Sequence, residues 1–268
     1  MAVSAARARQ LPVNDEIARQ QLHAIATYLN SWRERVLQGA GIPGDADTIS
    51  YLLLGLAAER YPPDDTTAAM ARFLLRQQTP AGQWRIAAHR PPIESSDIEV
   101  TAVSMRALQT YAPPTQRAAY EAAAQRAAVW LLKARPKTTE DRAFHLLGLA
   151  WARADRRAIQ RAGRALVAEQ RGDGGWAGLP SLGSDAYATG QSMVALAESG
   201  ALAPTSTAYT RGIQFLLKTQ LADGSWLVRT RAIPLQPHFE SGFPHGRDQF
   251  ISAAATNWAT MALVQAVR

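Results

Sequence analysis

Residues 95–102 read Ser-Ser-Asp-Ile-Glu-Val-Thr-Ala. Two carboxylates stand one residue apart where a proline-bearing loop gives way to an apolar run. A carboxyl group so placed can cap a helix or act as a general acid. The acid role requires a group that stays protonated in a dry pocket, beside a neighbour that tunes it. Asp97 opens the run, where the helix macrodipole favours the charged form and capping is the expected role. Glu99 lies inside the first turn between Ile98 and Val100, about 200° around the helix from Asp97. It shares a face with Ala102, Val103 and Arg106. Glu99 is therefore the candidate proton donor, with Asp97 and Arg106 as the groups that would tune it. An ion pair with Arg106 would instead hold Glu99 charged and leave it a structural carboxylate.

More polar chemistry gathers in two long loops, residues 85–96 and 227–247, which share arginines, prolines and a Glu-Ser step at Glu94–Ser95 and Glu240–Ser241. They bring His89, Arg90, Arg229, Arg231, His238, Glu240 and His245 to one end of the molecule. Proline lowers the cost of ordering such loops. The combination suits the mouth of a pocket for an apolar molecule with a polar head, or a set of ion pairs that stiffen a rim. His238 and His245 are seven residues apart, which matches no standard ligand spacing, so no metal site is expected. No motif for a diphosphate, a sugar, a nucleotide or a haem is present, so no cofactor is expected either.

The elements that position these residues come from a repeat. The segments FLLRQQTPAGQW, ALVAEQRGDGGW and FLLKTQLADGSW end at Trp84, Trp176 and Trp226. Each is an apolar helical stripe followed by Gln, three residues, Gly, one residue and Trp: Gln78–Gly82–Trp84, Gln170–Gly174–Trp176 and Gln220–Gly224–Trp226. Glycine at a helix end suits a left-handed turn. Glutamine can reach the ends of neighbouring helices, and indole packs over its amide. A fourth segment has Arg135 in the Gln position and Asp141 in the Trp position; it keeps the helix and lacks the clasp.

After each repeat follows an apolar helix opened by an acid: Asp47, Asp97, Glu140 with Asp141, Asp185 and Asp248. These helices are apolar nearly all round, as buried inner helices are. The segments near 15–38, 64–78, 116–134, 156–170 and 206–220 are amphipathic and arginine-bearing, and read as outer helices. Residues 1–14 echo the later part of an inner helix, MAVSAARARQ against TAVSMRALQ at 101–109. One domain over 1–268 is expected, with five outer–inner pairs and the remnant of a first inner helix in front. A frayed terminal helix is the alternative.

The Gln-x-x-x-Gly-x-Trp repeats resemble the QW repeats of squalene–hopene and oxidosqualene cyclases, within the terpenoid cyclase and protein prenyltransferase group. The resemblance runs from about Asp15 to Arg268. It implies an all-α (α/α)6 toroid, inner helices ringing a lumen; an open helical solenoid is the other arrangement compatible with the repeat. It also implies binding of an apolar, isoprenoid-like molecule and protonation-initiated cyclisation, an intramolecular isomerisation. The family's DxDDTA-like acid motif falls on Asp97, Glu99, Val100, Thr101 and Ala102, with valine in place of the third acid. On this reading Glu99 donates the proton, and Tyr187, Trp151 and Trp258 face developing cations through their rings. The contrasting reading is a non-catalytic interaction or scaffold toroid of a larger protein. A six-fold barrel glycosidase using paired carboxylates ranks third, since those enzymes lack the clasps.

Composition bounds the remaining classes. The net charge of +7 comes mostly from arginines scattered along the helices, a solvated basic surface rather than a nucleic-acid footprint. The absence of cysteine excludes disulfides and thiolate zinc, and with it the zinc site of the prenyltransferases. No apolar run reaches the length of a membrane span, and no secretory leader is visible.

Overall fold

The computed structural model describes residues 1–234 and 237–267. Leu235 and Gln236 of the second long loop, and Arg268 at the end of the repeat region, lie outside the described residues. Among the described residues the chain is all-α, with α1 (Ala2–Ala8), α2 (Asp15–Leu37), α3 (Asp45–Ala58), α4 (Asp65–Gln77), α5 (Asp97–Tyr111), α6 (Arg117–Lys133), α7 (Thr139–Trp151), α8 (Arg156–Val167), α9 (Ala186–Glu198), α10 (Thr207–Thr219) and α11 (Gln249–Ala266). Among the described residues no helix is long and apolar enough to cross a membrane.

The odd-numbered helices from α3 onward form the buried set. In α9 every residue from Ala186 to Leu196 is buried, and α5 is buried continuously from Ile98 to Met105. Helices α3, α5, α7, α9 and α11 touch in chain order, and α1 touches α11. At its other side α1 meets the end of α3, where Ser4 Oγ donates to the Ala58 carbonyl (2.7 Å) and Arg7 pairs with Glu59. The remnant helix expected at the N-terminus thus packs beside the last helix and the end of α3. Gly190 permits the closest of these approaches: a Cβ there would sit 2.6 Å from the Ala259 amide nitrogen of α11. The even-numbered helices expose their arginines, α8 most clearly, with only Ala158, Gly163 and Leu166 buried.

The three clasps are built alike. Each indole N–H donates to the carbonyl ten residues back: Trp84 to Leu74 (2.7 Å), Trp176 to Leu166 (2.8 Å) and Trp226 to Leu216 (2.9 Å). That satisfies a carbonyl near the outer helix's C-terminal end, where helical partners run out. Each Trp amide meets a threonine of the next buried helix, Thr101, Thr189 or Thr256. Gln78 and Gln170 each donate twice, across their own turn to Gly82 and Gly174, and to the next outer helix at Ala123 and Ala208. Gly174 has φ +89°, and a Cβ there would lie 2.5 Å from the Arg211 carbonyl oxygen, so conformation and space both require glycine. Gln220 makes only the donation across its own turn, to Gly224 (2.9 Å). The fourth repeat has no such clasp: Asp141 closes a capping box with Thr138 at the start of α7.

Two sequence expectations are corrected here. Helix α3 opens at Asp45 behind Gly44, which places Asp47 in its first turn and buries it. Helix α5 is capped by Ser96, whose hydroxyl accepts from the Ile98 amide; Asp97, expected as the cap, instead accepts from the Ile86 amide (3.0 Å) and anchors the preceding loop.

Candidate acid site at the N-terminal ends of the buried helices

The first turns of α3, α5, α7 and α9 bring together a group of buried carboxyls. Glu99 has no exposed surface. Its two oxygens accept from the Tyr51 hydroxyl of α3 (2.7 Å) and from the Ser95 amide (3.0 Å). Glu140, from α7, accepts from the Tyr187 hydroxyl of α9 (2.7 Å) and, at 3.4 Å, from the Gln191 amide. Asp47 completes the group and keeps one oxygen without a partner among the described residues.

Burial decides the protonation of this group, because moving a carboxylate out of water disfavours its charge. Glu99 is raised above the usual carboxylate range by burial first and by the charge of Glu140 second; the Tyr51 and Ser95 donors oppose the shift without cancelling it. Glu140 is raised by burial, against the opposing hydrogen bond from Tyr187. Asp47 is pushed up to about 8, by burial and then by Glu99. Burial also raises Asp185, which caps α9 by accepting from the Ala188 amide.

Arg106, expected as a partner of Glu99, is not one. Glu99 occupies the first turn of α5, while Arg106 is exposed two turns further along, where its charge acts on Glu198. The two lie on one side of the helix, but at 1.5 Å per residue the seven-residue separation is about 10 Å along the axis.

A cavity of about 160 Å³ opens against this group. Glu140, Tyr187 and Gln191 form its floor, Pro91 and Pro92 one wall, and Arg231 lies at its lining, with its guanidinium against Gly178. Glu99 sits behind Ser95 and Glu140 and does not line it. Sequence reasoning missed Glu140 as a site residue and treated it as one more helix opener. The available signal was its place in the first turn of an apolar helix, the same that singled out Glu99.

Toward the other ends of the helices the centre is filled. Tyr51, Phe144 and Trp258 pack edge to face with centroids 6.2 and 6.1 Å apart. With Trp151 they surround a space of only about 10 Å³. Trp151 and Trp258 thus belong to this central packing and Tyr187 to the acid cavity. Phe250, at the start of α11, is half-exposed beside Phe239.

The loop residues divide into pairs. Arg90 forms an ion pair with the buried Glu94. His238 meets Glu240 (2.9 Å), Arg229 meets Asp248 (2.8 Å), and His245 meets the Ser225 hydroxyl (2.8 Å). His89 is exposed. His238 and His245 therefore face different partners, and among the described residues no group of side chains is arranged to hold a metal ion. Arg90, His238 and Phe250 line a second, shallower depression of about 430 Å³ beside the first. The echo between the two loops has a structural counterpart: the Ser95 amide is held by Glu99 and the Ser241 amide by Gln249.

Comparison with protein-family models and with curated proteins gives no match.

Proposed function

We propose that the chain is an (α/α)6 toroid of the terpenoid cyclase kind with α1 between α11 and the end of α3, and that its acid end binds an isoprenoid-like apolar molecule by one end. The contact order of the buried helices, with α1 between α11 and the end of α3, supports the ring. The observation that carries the functional reading is the Glu99–Glu140 pair: two buried carboxyls, held by tyrosines and with no ion pair among the described residues, one of them at the cavity. Burial raises both, so the pair holds a proton near neutrality, and a general acid is most effective when it titrates near its working pH. Glu140 is the carboxyl that touches the ligand, and its charge in turn holds Glu99 protonated behind it.

The volumes support a chain-like substrate bound by its end. About 160 Å³ is below the roughly 300–1,000 Å³ of sites that enclose a whole drug-sized molecule, so the cavity takes the end of a chain, and the rest lies in the depression lined by Ile233, Phe239 and Phe250. A weak buried acid suits protonation of a heteroatom, as in epoxide opening, better than protonation of a bare alkene. The reaction class is then an atypical, protonation-initiated isomerisation.

A second reading, a non-catalytic interaction toroid, is favoured by the filled centre and by the exposure of Ile233, Phe239 and Phe243 on the loop. Product analysis separates the two. Incubation of folded protein with 2,3-oxidosqualene and with farnesol epoxide is expected to yield a cyclic or rearranged product, lost at least tenfold in E140Q. Unchanged substrate in every incubation, with saturable binding of a protein partner, would favour the interaction reading.

A further inference from the structure

Three buried polar atoms at the acid cavity are left short of partners among the described residues: Glu140 Oε2 and Gln191 Oε1 have none, and the Ser95 hydroxyl has only the Glu140 carboxyl beside it. Glu140 is 4% exposed and Gln191 fully buried. Unpaired groups of this kind are uncommon in folded proteins and call for a partner. Gln191 Oε1 only accepts, Glu140 Oε2 only accepts once its proton has left, and the serine can accept as well. The cavity therefore offers acceptors converging on one space, beside a carboxyl able to carry charge. Asp47 and Glu99 add acidic character behind it. Of the nearby cations, Arg90 pairs with Glu94, while Arg231 lies at the lining against Gly178, and its charge acts on Asp185.

We infer that the cavity floored by Glu140 and Gln191 and edged by Ser95 is a recognition site for a primary ammonium group carried on a short apolar chain. The inference rests on the reading of this cavity as the ligand site and names the chemistry of the ligand's head. An ammonium presents three N–H donors to these three atoms, where a hydroxyl presents one. Its charge makes the bond to Glu140 a charge-assisted one. A neutral amine arriving at the protonated pair takes the Glu140 proton onto its nitrogen lone pair, leaving an ammonium against a carboxylate, and charge is balanced within the cavity. Pro91, Pro92, Leu179 and Ala188 supply the apolar wall for the chain.

The test is calorimetric titration of the folded chain with n-butylammonium, butan-1-ol and butyrate. Butylammonium is expected to bind at least tenfold more tightly than butanol, with no binding of butyrate. E140Q should abolish the preference, and Gln191→Leu, which leaves the carboxyl in place, should weaken butylammonium several-fold. Equal binding of amine and alcohol, binding of neither, or a preference that survives E140Q would overturn the inference. If butylammonium fails while farnesol epoxide still binds in competition with Glu140 substitutions, the head-group assignment falls alone. If both fail, the cavity reading falls with it.

Discussion

Replacing Trp176 by alanine is expected to destabilise the chain by about 3–5 kcal/mol, a fall of roughly 10 °C in Tm for a domain of this size. The indole is completely buried, so its removal leaves a large cavity. It also frees the Leu166 carbonyl that the indole N–H satisfied, and a buried unpaired acceptor adds its own penalty. Trp84 and Trp226 make the same bond at the same ten-residue distance, so Trp226→Ala should give a loss of the same order. The glutamines sharpen the test. Gln170 ties its own turn to the next outer helix at Ala208, whereas Gln220 ties only its own turn. Gln170→Ala should therefore cost about 1 kcal/mol more than Gln220→Ala. Thermal melts of the four variants decide this; a Tm unchanged by Trp176→Ala would remove the clasp assignment.

The second large effect is on pH dependence. Asp47, Glu99 and Glu140 all titrate higher in the folded chain than in the unfolded one. Between the ordinary carboxylate range and about pH 8 the folded state therefore holds more protons than the unfolded state, and stability must fall as pH rises. The contribution is fully present below about pH 4 and is lost as the folded groups ionise, near pH 8 for Asp47. A proton held by the folded state alone costs about 1.4 kcal/mol of stability for every pH unit climbed, so the decline from pH 5 to pH 8.5 is expected to be several kcal/mol. Glu99→Gln removes the titration while keeping a group that can accept from the Ser95 amide. It should flatten the slope and make the variant more stable than the wild type at pH 8.5. Denaturant melts across this range check the sign; stability that rises with pH would show that the carboxyls are ionised and paired.

Much of this was legible in the residues. The Gln-x-x-x-Gly-x-Trp spacing predicted the clasps because it records a local event, a left-handed glycine turn that folds an indole back over its own helix end. The alternation of apolar and arginine-bearing helices followed from periodicity. The acid site was half legible. Glu99 stands out because a charged residue in a buried helical turn conflicts with its surroundings. Glu140 satisfies the same criterion, but its significance depends on Tyr187 and Gln191, which arrive from another helix, and sequence adjacency carries no sign of that meeting. Arg106 failed for a related reason, since a shared helical face fixes direction and says nothing of what other helices place between two residues. The fate of the loop residues was least legible, because Arg90 could equally have served a ligand or Glu94 until the turn between them was known.

The central claim, that buried Glu99 is an uncharged acid at neutral pH, is tested most directly by infrared spectroscopy of the carboxyl C=O stretch. Spectra of the wild type, Glu99→Gln and Glu140→Gln would be compared from pH 5 to pH 9, with Asp47→Asn as the reference for the third buried carboxyl. The account predicts an undissociated-carboxyl band at pH 6.5 that weakens in Glu99→Gln relative to wild type and disappears as pH rises above about 8. A wild-type spectrum at pH 6.5 indistinguishable from that of Glu99→Gln would contradict it, and SSDIEVTA would then be a loop anchor and a helix start with no proton to give.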